Sequence, residues 1–157
     1  MLPLHDKSDF NTYYNRAFGP CYKFQKQPPL LEAEKFKTGQ IWKYINRAGE
    51  DGSVLTILKI EKYDTGDTIL HIRVDGVKIY SPQSATGYSS FIGHLPFSEK
   101  SISASVTELA GQNNNLPDFS EGYNQWKEAW DNGKAGYWTI DLKDAIDGID
   151  RIMRPGN

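Results

Sequence analysis

The sequence predicts an α+β fold, in which a curled antiparallel sheet of about four or five strands is packed by two or three C-terminal helices. Strand-like alternation broken by short turns occupies residues 41–80, whereas helical spacing of apolar residues dominates the last third of the chain. Turns of this length are too short for the crossover that joins parallel strands, so the strands are predicted to form an antiparallel meander.

The N-terminal part, residues 1–38, is predicted to form a short helix and an extended lead-in. Four aromatic residues have helical spacing: Phe10, Tyr13, Tyr14 and Phe18. Gly19-Pro20 then ends the pattern, and prolines without clear periodicity follow. This part is too short for a second domain, so residues 39–157 are predicted to form a single α+β domain.

Three strands are predicted after this lead-in, at residues 41–45, 54–60 and 69–74. Glycine and aspartate residues between them form turns because they tolerate positive φ. Asp75-Gly76 then either turns the chain into a fourth strand or makes a bulge in a longer third strand. Alternation in the third strand leaves His71 opposite the core face, as a residue of the strand surface.

Residues 81–97 lack clear periodicity and are predicted to form a loop. Loops longer than about 12 residues often carry function, so this segment is a candidate site. Ser98 is predicted to cap a helix of about three turns. Its apolar stripe is formed by Ile102, Val106 and Leu109, and it ends at Gly111.

Two further helices are predicted near the C-terminus, with a brief strand at residues 137–140 between them. The first helix begins near residue 118 or 120 and ends at Asn132-Gly133. At least two of its three aromatic residues are predicted to pack on the core: Tyr123, Trp126 and Trp130. The second follows Asp141 and buries one apolar face: Leu142, Ala145, Ile146, Ile149 and Met153. Its acidic residues are predicted to lie on the solvated face: Asp144, Asp147 and Asp150.

Motifs for the common chemistries are absent from the sequence. It contains no cysteine pair, no histidine motif for metal binding, no glycine-rich phosphate loop and no serine nucleophile elbow. No cofactor and no metal site is therefore expected. The absence of these motifs favours a binding protein, and an enzyme stays open as an alternative. His94, in the predicted loop, is either a site residue or a hydrogen-bonded loop residue.

Composition predicts a cytoplasmic protein, because no apolar run approaches the roughly 18 residues that cross a bilayer. The single cysteine cannot form an internal disulfide. The net charge of −2 divides into +4 over residues 1–49 (eight basic minus four acidic) and −6 over residues 50–157 (ten minus sixteen). The basic residues are too dispersed to predict a nucleic-acid partner, and no membrane partner is expected. The acidic part would suit a basic protein partner.

Three motifs resemble a group of small, uncharacterised bacterial proteins. They are Gly39-Gln40-Ile41-Trp42-Lys43-Tyr44, Ile92-Gly93-His94-Leu95-Pro96-Phe97-Ser98, and Leu116-Pro117-Asp118-Phe119 through Gly122-Tyr123 to Trp126. The resemblance covers roughly residues 37–153 and implies no catalytic residue. In size, mild acidity and aromatic content the chain is also similar to bacterial immunity proteins, which neutralise secreted toxins by binding them.

These observations lead to three functional hypotheses. The favoured one is a non-enzymatic inhibitor or immunity protein that binds a toxin directly. The second is a small-ligand-binding or enzymatic barrel with its site at residues 81–97, and the third is a homo-oligomeric structural protein. The candidate partner-binding residues are aromatic, acidic or imidazole side chains of the predicted loop and helix: Tyr88, Phe91, His94, Glu121, Trp126, Glu128 and Asp131.

Overall fold

The computed structural model of the chain describes residues 34–156. Five strands and three helices follow one another: β1 (Gln40–Tyr44), β2 (Val54–Lys62), β3 (Thr68–Tyr80), β4 (Tyr88–Ser98), α1 (Glu99–Ser105), β5 (Val106–Gln112), α2 (Ser120–Asp131) and α3 (Leu142–Met153). The strands form one curled antiparallel sheet in the order β4-β3-β2-β1-β5. The predicted α+β fold is confirmed. The predicted N-terminal helix lies outside the described residues, and the domain boundary at residue 38 stays a prediction.

The first three strands form the antiparallel meander that the turn residues predicted. In the turn between β2 and β3, Gly66 has φ +89°, which favours glycine. Asp75-Gly76 lies inside β3, where the register against β4 shifts, so the bulge is the alternative that the structure contains. Gly76 has φ +81°, and an added Cβ would lie 3.0 Å from the Ser53 Cα. Only glycine fits this position without displacing the neighbouring backbone.

The apolar core lies between one face of the sheet and the helices α1 and α3. Its fully buried members come from three strands and both helices: Leu55, Ile57, Leu70, Ile72, Phe97, Ile102, Leu142 and Ile146. Burial of one such side chain contributes roughly 1.5–3 kcal/mol to folding. This face of the sheet is therefore the main source of stability in the described part of the chain.

α3 packs on the core with the face that its apolar spacing predicted. Leu142, Ala145 and Ile146 are completely buried, whereas Met153, at the end of the same predicted face, is exposed. Asp141 occupies the N-cap position with an extended backbone, and its C=O accepts a hydrogen bond from the Ala145 N–H at 3.0 Å. The first two turns of α3 therefore carry its completely buried apolar residues.

Asp150 contradicts the prediction that all the acidic residues of α3 are solvated. Its carboxylate is buried and accepts a hydrogen bond from the Tyr80 backbone N–H at 2.8 Å. The buried Glu50 carboxylate accepts one from the Lys78 N–H at 2.9 Å. The register of β2 against β3 ends at Asp75, so both N–H groups lie beyond it. The two carboxylates replace the missing strand partner.

Arg47 joins these two carboxylates. Its guanidinium donates to Glu50 at 2.5 Å and to Asp150 at 3.3 Å. Burial raises the pKa of Asp150, but hydrogen bonds from the Tyr80 N–H, Arg154 and Arg47 together outweigh it and hold this pKa below its ordinary value. Asp150 is thus a paired, ionised carboxylate beneath the surface.

Replacing Asp150 with alanine is expected to lower the free energy of unfolding by about 3 kcal/mol, because the Tyr80 N–H and the Arg47 guanidinium both lose a buried acceptor. Urea denaturation at pH 7 measures this change. Asp144→Ala, at an exposed position of the same helix, is the control and should cost less than about 1 kcal/mol. Equal losses in the two variants would show that the buried carboxylate has no special role.

Residues 81–97 are not the loop that the sequence predicted. Only residues 81–87 form a turn, in which Ser81 N–H donates to the Gly87 C=O at 2.9 Å, and β4 begins at Tyr88. β4 is an edge strand whose first seven residues are half-buried or exposed. The alternation of burial is therefore confined to its end, at Leu95 and Phe97, which explains why the sequence pattern missed the strand.

The predicted three-turn helix is wrong beyond Ser105. Ser98 caps α1 as predicted, and its Oγ accepts a hydrogen bond from the Ser101 N–H at 3.1 Å. Val106 has φ −75° and ψ 150° and begins β5, which pairs with β1. The next predicted helix is confirmed as α2, and the brief strand after it is reduced to one bridge at Trp138. Within residues 34–156, no helix combines the length and apolarity needed to cross a membrane.

Candidate functional site

The outer face of the sheet, opposite the apolar core, carries a polar cluster under α2. Leu70 and Ile72 point into the core, so alternation places His71 of β3 on the outer face. His71 nevertheless has 0% of its surface exposed. The prediction that it lies on an open strand surface is therefore wrong, because a helix distant in sequence covers it.

Both strands that flank His71 contain an extra residue at its level. Ile57 of β2 pairs with Ile72 of β3, and the next pair is Lys59 with His71, so one residue of β2 between these pairs has no partner in β3. On the other side, Ile72 pairs with Leu95 and Val74 pairs with Ile92, so β4 advances by three residues where β3 advances by two. Such register shifts re-aim side chains and are common beside functional sites. Here they bring Lys59 directly opposite His71.

A chain of hydrogen bonds joins three strands on this face. His71 Nδ1 lies 2.8 Å from His94 Nε2, and the two rings stack at 13° with their centroids 5.1 Å apart. His71 Nε2 lies 3.2 Å from Glu61 Oε2. Tyr123 and Trp126 of α2 cover this chain, and we call the five residues the histidine cluster.

Glu61 is the charged end of the histidine cluster. Its carboxylate accepts hydrogen bonds from the Tyr123 hydroxyl at 2.5 Å and the Tyr63 hydroxyl at 2.9 Å, and Lys59 Nζ lies 3.3 Å away. Burial raises the pKa of Glu61, but these donors and His71 together lower it to about 2. Glu61 is therefore ionised at neutral pH.

Both histidines are neutral at pH 7, because burial disfavours their charged forms. It lowers the pKa of His71 below its ordinary value, against the opposing pull of Glu61. Burial and the neighbouring His71 lower the pKa of His94 to about 4. The cluster thus holds one negative charge, on the carboxylate, beside two uncharged rings.

Glu61 fixes the tautomers of both rings. An ionised carboxylate only accepts hydrogen bonds, so His71 Nε2 carries the proton of that ring. The neutral ring then accepts at Nδ1, and the proton in the bond between the histidines belongs to His94 Nε2. His94 Nδ1 is consequently the unprotonated nitrogen at the end of the chain.

α2 rests on the histidine cluster without burying any residue completely. The Tyr123 and Trp126 rings meet the His71 ring edge to face, at centroid distances of 5.1 and 4.7 Å. At Gly122, an added Cβ would lie 3.1 Å from the His94 Cβ, so glycine permits the close approach of the helix. Trp130 continues the contact by packing on Tyr63 at 5.3 Å. The prediction that at least two of the aromatic residues of α2 pack on the core is therefore wrong, because they face inward onto a polar cluster on the outer face of the sheet.

Three of the sequence-predicted site residues lie on β4, where the structure separates them. Tyr88 and Phe91 border a depression of about 620 Å³ together with serine, glutamine and threonine side chains between residues 81 and 90, and His94 is not among the described residues that line it. Phe91 is 45% exposed and lies under the Arg73 guanidinium, 4.2 Å from its ring centroid. The hypothesis that these three residues meet one ligand stays a prediction. Only Tyr88 and Phe91 share the lining of this depression.

The remaining predicted residues lie on α2. Trp126 belongs to the histidine cluster, whereas Glu121, Glu128 and Asp131 are exposed, and Asp131 pairs with Lys127. Sequence reasoning missed the buried members of the cluster from β2 and β3, together with Lys59 and Tyr63. Their signal in the sequence is the polar stripe on β2 and β3. The aromatic face of α2 needs a surface on which to pack, and this stripe can supply it.

Comparison with known proteins finds no family model, no curated protein and no solved structure that matches the chain. The resemblance of three motifs to small bacterial proteins therefore stays a prediction. Among residues 34–156, no group of three or more His, Cys, Asp and Glu side chains is placed to hold a metal ion.

Proposed function

We propose that the chain is a non-enzymatic binding protein, most concretely a cytoplasmic inhibitor or immunity protein that neutralises a basic toxin by direct binding. The proposed contact surface is the outer side of α2. The proposal rests on the placement of this helix, on its charge and on the internal use of three of the four histidine ring nitrogens.

The observation that carries the proposal is that α2 is a surface helix fixed along one side. Its aromatic residues pack inward on the histidine cluster, and its outer side presents Glu121, Glu128 and Asp131. One lysine, Lys127, opposes these three acids. A rigid helix with an acidic outer side offers electrostatic complementarity to a basic surface, which accelerates association and selects partners by charge.

The histidine cluster supports binding rather than catalysis. Both ring nitrogens of His71 contact other side chains of the cluster, and the ring is fully buried. Gly122 of α2 approaches the His94 ring closely from above. A catalytic base needs the reacting group within hydrogen-bond reach, and the α2 backbone lies close to the one ring nitrogen without a bond in the cluster: a Cβ added at Gly122 would be 3.6 Å from His94 Nδ1. The cluster thus positions the helix.

The proposal is tested with the product of the gene next to that of this chain, a candidate toxin. Co-expression should protect cells, and purified proteins should bind. Glu121→Lys combined with Glu128→Lys is expected to weaken binding at least about tenfold through charge reversal. The control is Asp144→Lys combined with Asp51→Lys, at exposed positions outside α2, with the same change in net charge. Binding that is unaffected by the α2 reversal would contradict the proposed surface, and absence of binding and protection would contradict the function.

A further inference from the structure

We propose that the histidine cluster is an acid-operated latch, which holds α2 on the sheet when its histidines are neutral and releases the helix when both are protonated. The inference rests on the proposed function only in that α2 is the proposed contact surface. It adds a way in which that surface is switched.

The attachment of α2 to the sheet depends on the histidine cluster. Tyr123 reaches the Glu61 carboxylate, Trp126 covers the His71 ring, and Gly122 lies against His94. No residue of α2 is fully buried, whereas α3 buries Leu142, Ala145 and Ile146 completely, so α2 is the more weakly attached helix. Loss of the cluster geometry therefore removes the contacts of Tyr123, Trp126 and Gly122 and leaves Trp130 on Tyr63.

The charged and titratable groups around the rings determine how protons act. β2 contributes Lys59 and Glu61, the segment after it contributes Tyr63, and α2 contributes Tyr123 and Lys127. Lys59 Nζ lies 4.3 Å from the centroid of the Tyr123 ring. The two rings are therefore surrounded by one carboxylate, that of Glu61, and one nearby ammonium, that of Lys59, before either histidine is protonated.

The first proton leaves the chain of hydrogen bonds intact. It adds to His94 Nδ1, the unprotonated end of the chain, and the proton on His94 Nε2 can then pass along the hydrogen bond to His71 Nδ1. His71 in that form donates at both nitrogens, to the Glu61 carboxylate and to His94 Nε2, while His94 keeps its proton on Nδ1. The second proton breaks the bond between the rings, because two imidazolium rings both donate and repel each other at 2.8 Å. Lys59 adds to this repulsion. Release is thus a property of the doubly protonated pair.

The apolar core does not share this sensitivity, and the lowered pKa of Asp150 keeps the carboxylate of α3 ionised to lower pH than an ordinary aspartate. The apolar core on the opposite face of the sheet consists of aliphatic and aromatic side chains and contains no histidine. α3 is attached to that core by Leu142, Ala145 and Ile146. Acid is therefore expected to open α2 locally while the sheet and α3 stay folded, as for other weakly attached elements.

Hydrogen exchange of the full chain alone, read by mass spectrometry between pH 7 and pH 3.5 and corrected for intrinsic rates, tests the latch. Protection of α2 is expected to fall at least about tenfold more than protection of α3 between pH 5 and pH 3.5, because α3 follows only the smaller loss of global stability. His94→Gln, which keeps a hydrogen-bonding group but does not titrate, should remove this difference. An equal loss in α2 and α3, constant protection of α2, or an unchanged difference in His94→Gln would overturn the proposal.

A second variant keeps the test decisive if His94→Gln does not fold. Gly122→Ala places a methyl group 3.1 Å from the His94 Cβ and should lower α2 protection at pH 7, with α3 unaffected. Full α2 protection in this variant would contradict the latch. None of these measurements needs a partner, so the latch and the proposed function can fail independently.

Discussion

Replacing His71 with alanine is expected to lower the free energy of unfolding by about 4 kcal/mol. The side chain is fully buried in the central part of the sheet, so its removal leaves a cavity between β3 and α2. The Glu61 carboxylate and the His94 ring would each also lose a hydrogen-bond partner in a partly desolvated site. The cost of the cavity and the cost of the two lost hydrogen bonds act together, because both arise where the His71 ring was.

Chemical denaturation at pH 7 measures the effect of His71→Ala. Lys78→Ala, at an exposed position of the same strand, is the matched control and should cost no more than about 1 kcal/mol, including the contact of its ammonium with the Tyr88 ring. A loss below about 1 kcal/mol in His71→Ala would mean that the cluster is loosely packed. Such a result would contradict the placement of α2 over this strand.

Stability is expected to decrease as the pH falls from about 6.5 to about 4, even before most carboxylates are protonated. The pKa of His94 is about 4 in the folded chain and 6.5 for an ordinary histidine. Between these values the unfolded chain binds a proton that the folded chain does not, so acid favours unfolding. The pKa of His71 is also lowered, which acts in the same direction.

The size of this pH effect follows from the shift and from solvent screening. A shift from 6.5 to about 4 corresponds to roughly 3 kcal/mol, and the partial exposure of His94 reduces it to about 2 kcal/mol. Below pH 4.5, Glu61 adds a further loss, because its pKa is about 2 in the folded chain against 4.5 for an ordinary glutamate. The pH range in which the histidines lower stability is therefore followed directly by the range in which Glu61 lowers it.

Urea denaturation at pH 7, 5.5 and 4.5 measures the histidine window, and His94→Gln is the comparison. The variant should lose less stability than the unmodified chain over this range, since one of the two shifted histidines is absent. If stability rose as the pH fell, or if the variant showed the same dependence, the assignment of neutral buried histidines would be wrong.

The sequence was sufficient to predict the meander, α2 and α3, because each has a strong local pattern. β1 to β3 alternate between turn residues, and α3 repeats its apolar residues at helical spacing. The helix predicted after Ser98 failed for a physical reason. Val106 and Leu109 continue the spacing of Ile102 by coincidence, but pairing of Val106 to Gln112 with β1 makes that segment a strand.

The candidate site was harder to predict, because its parts are brought together by tertiary structure. Glu61, His71 and His94 lie on three strands, and the register shifts that align them leave no mark in the sequence. A polar residue on an alternating strand normally faces solvent, which is why His71 was assigned to the surface. Because α2 covers the outer face of the sheet, His71 is buried instead of exposed.

Nitrogen-15 NMR of the histidine rings at pH 7 tests the central claim, that a neutral Glu61–His71–His94 chain lies under α2. The account predicts that both rings are neutral, with the proton on Nε2 and an unprotonated Nδ1 in each, and that a hydrogen bond links His71 Nδ1 to His94 Nε2. Rings that exchange rapidly between tautomers, or a proton on Nδ1 of either ring, would contradict it.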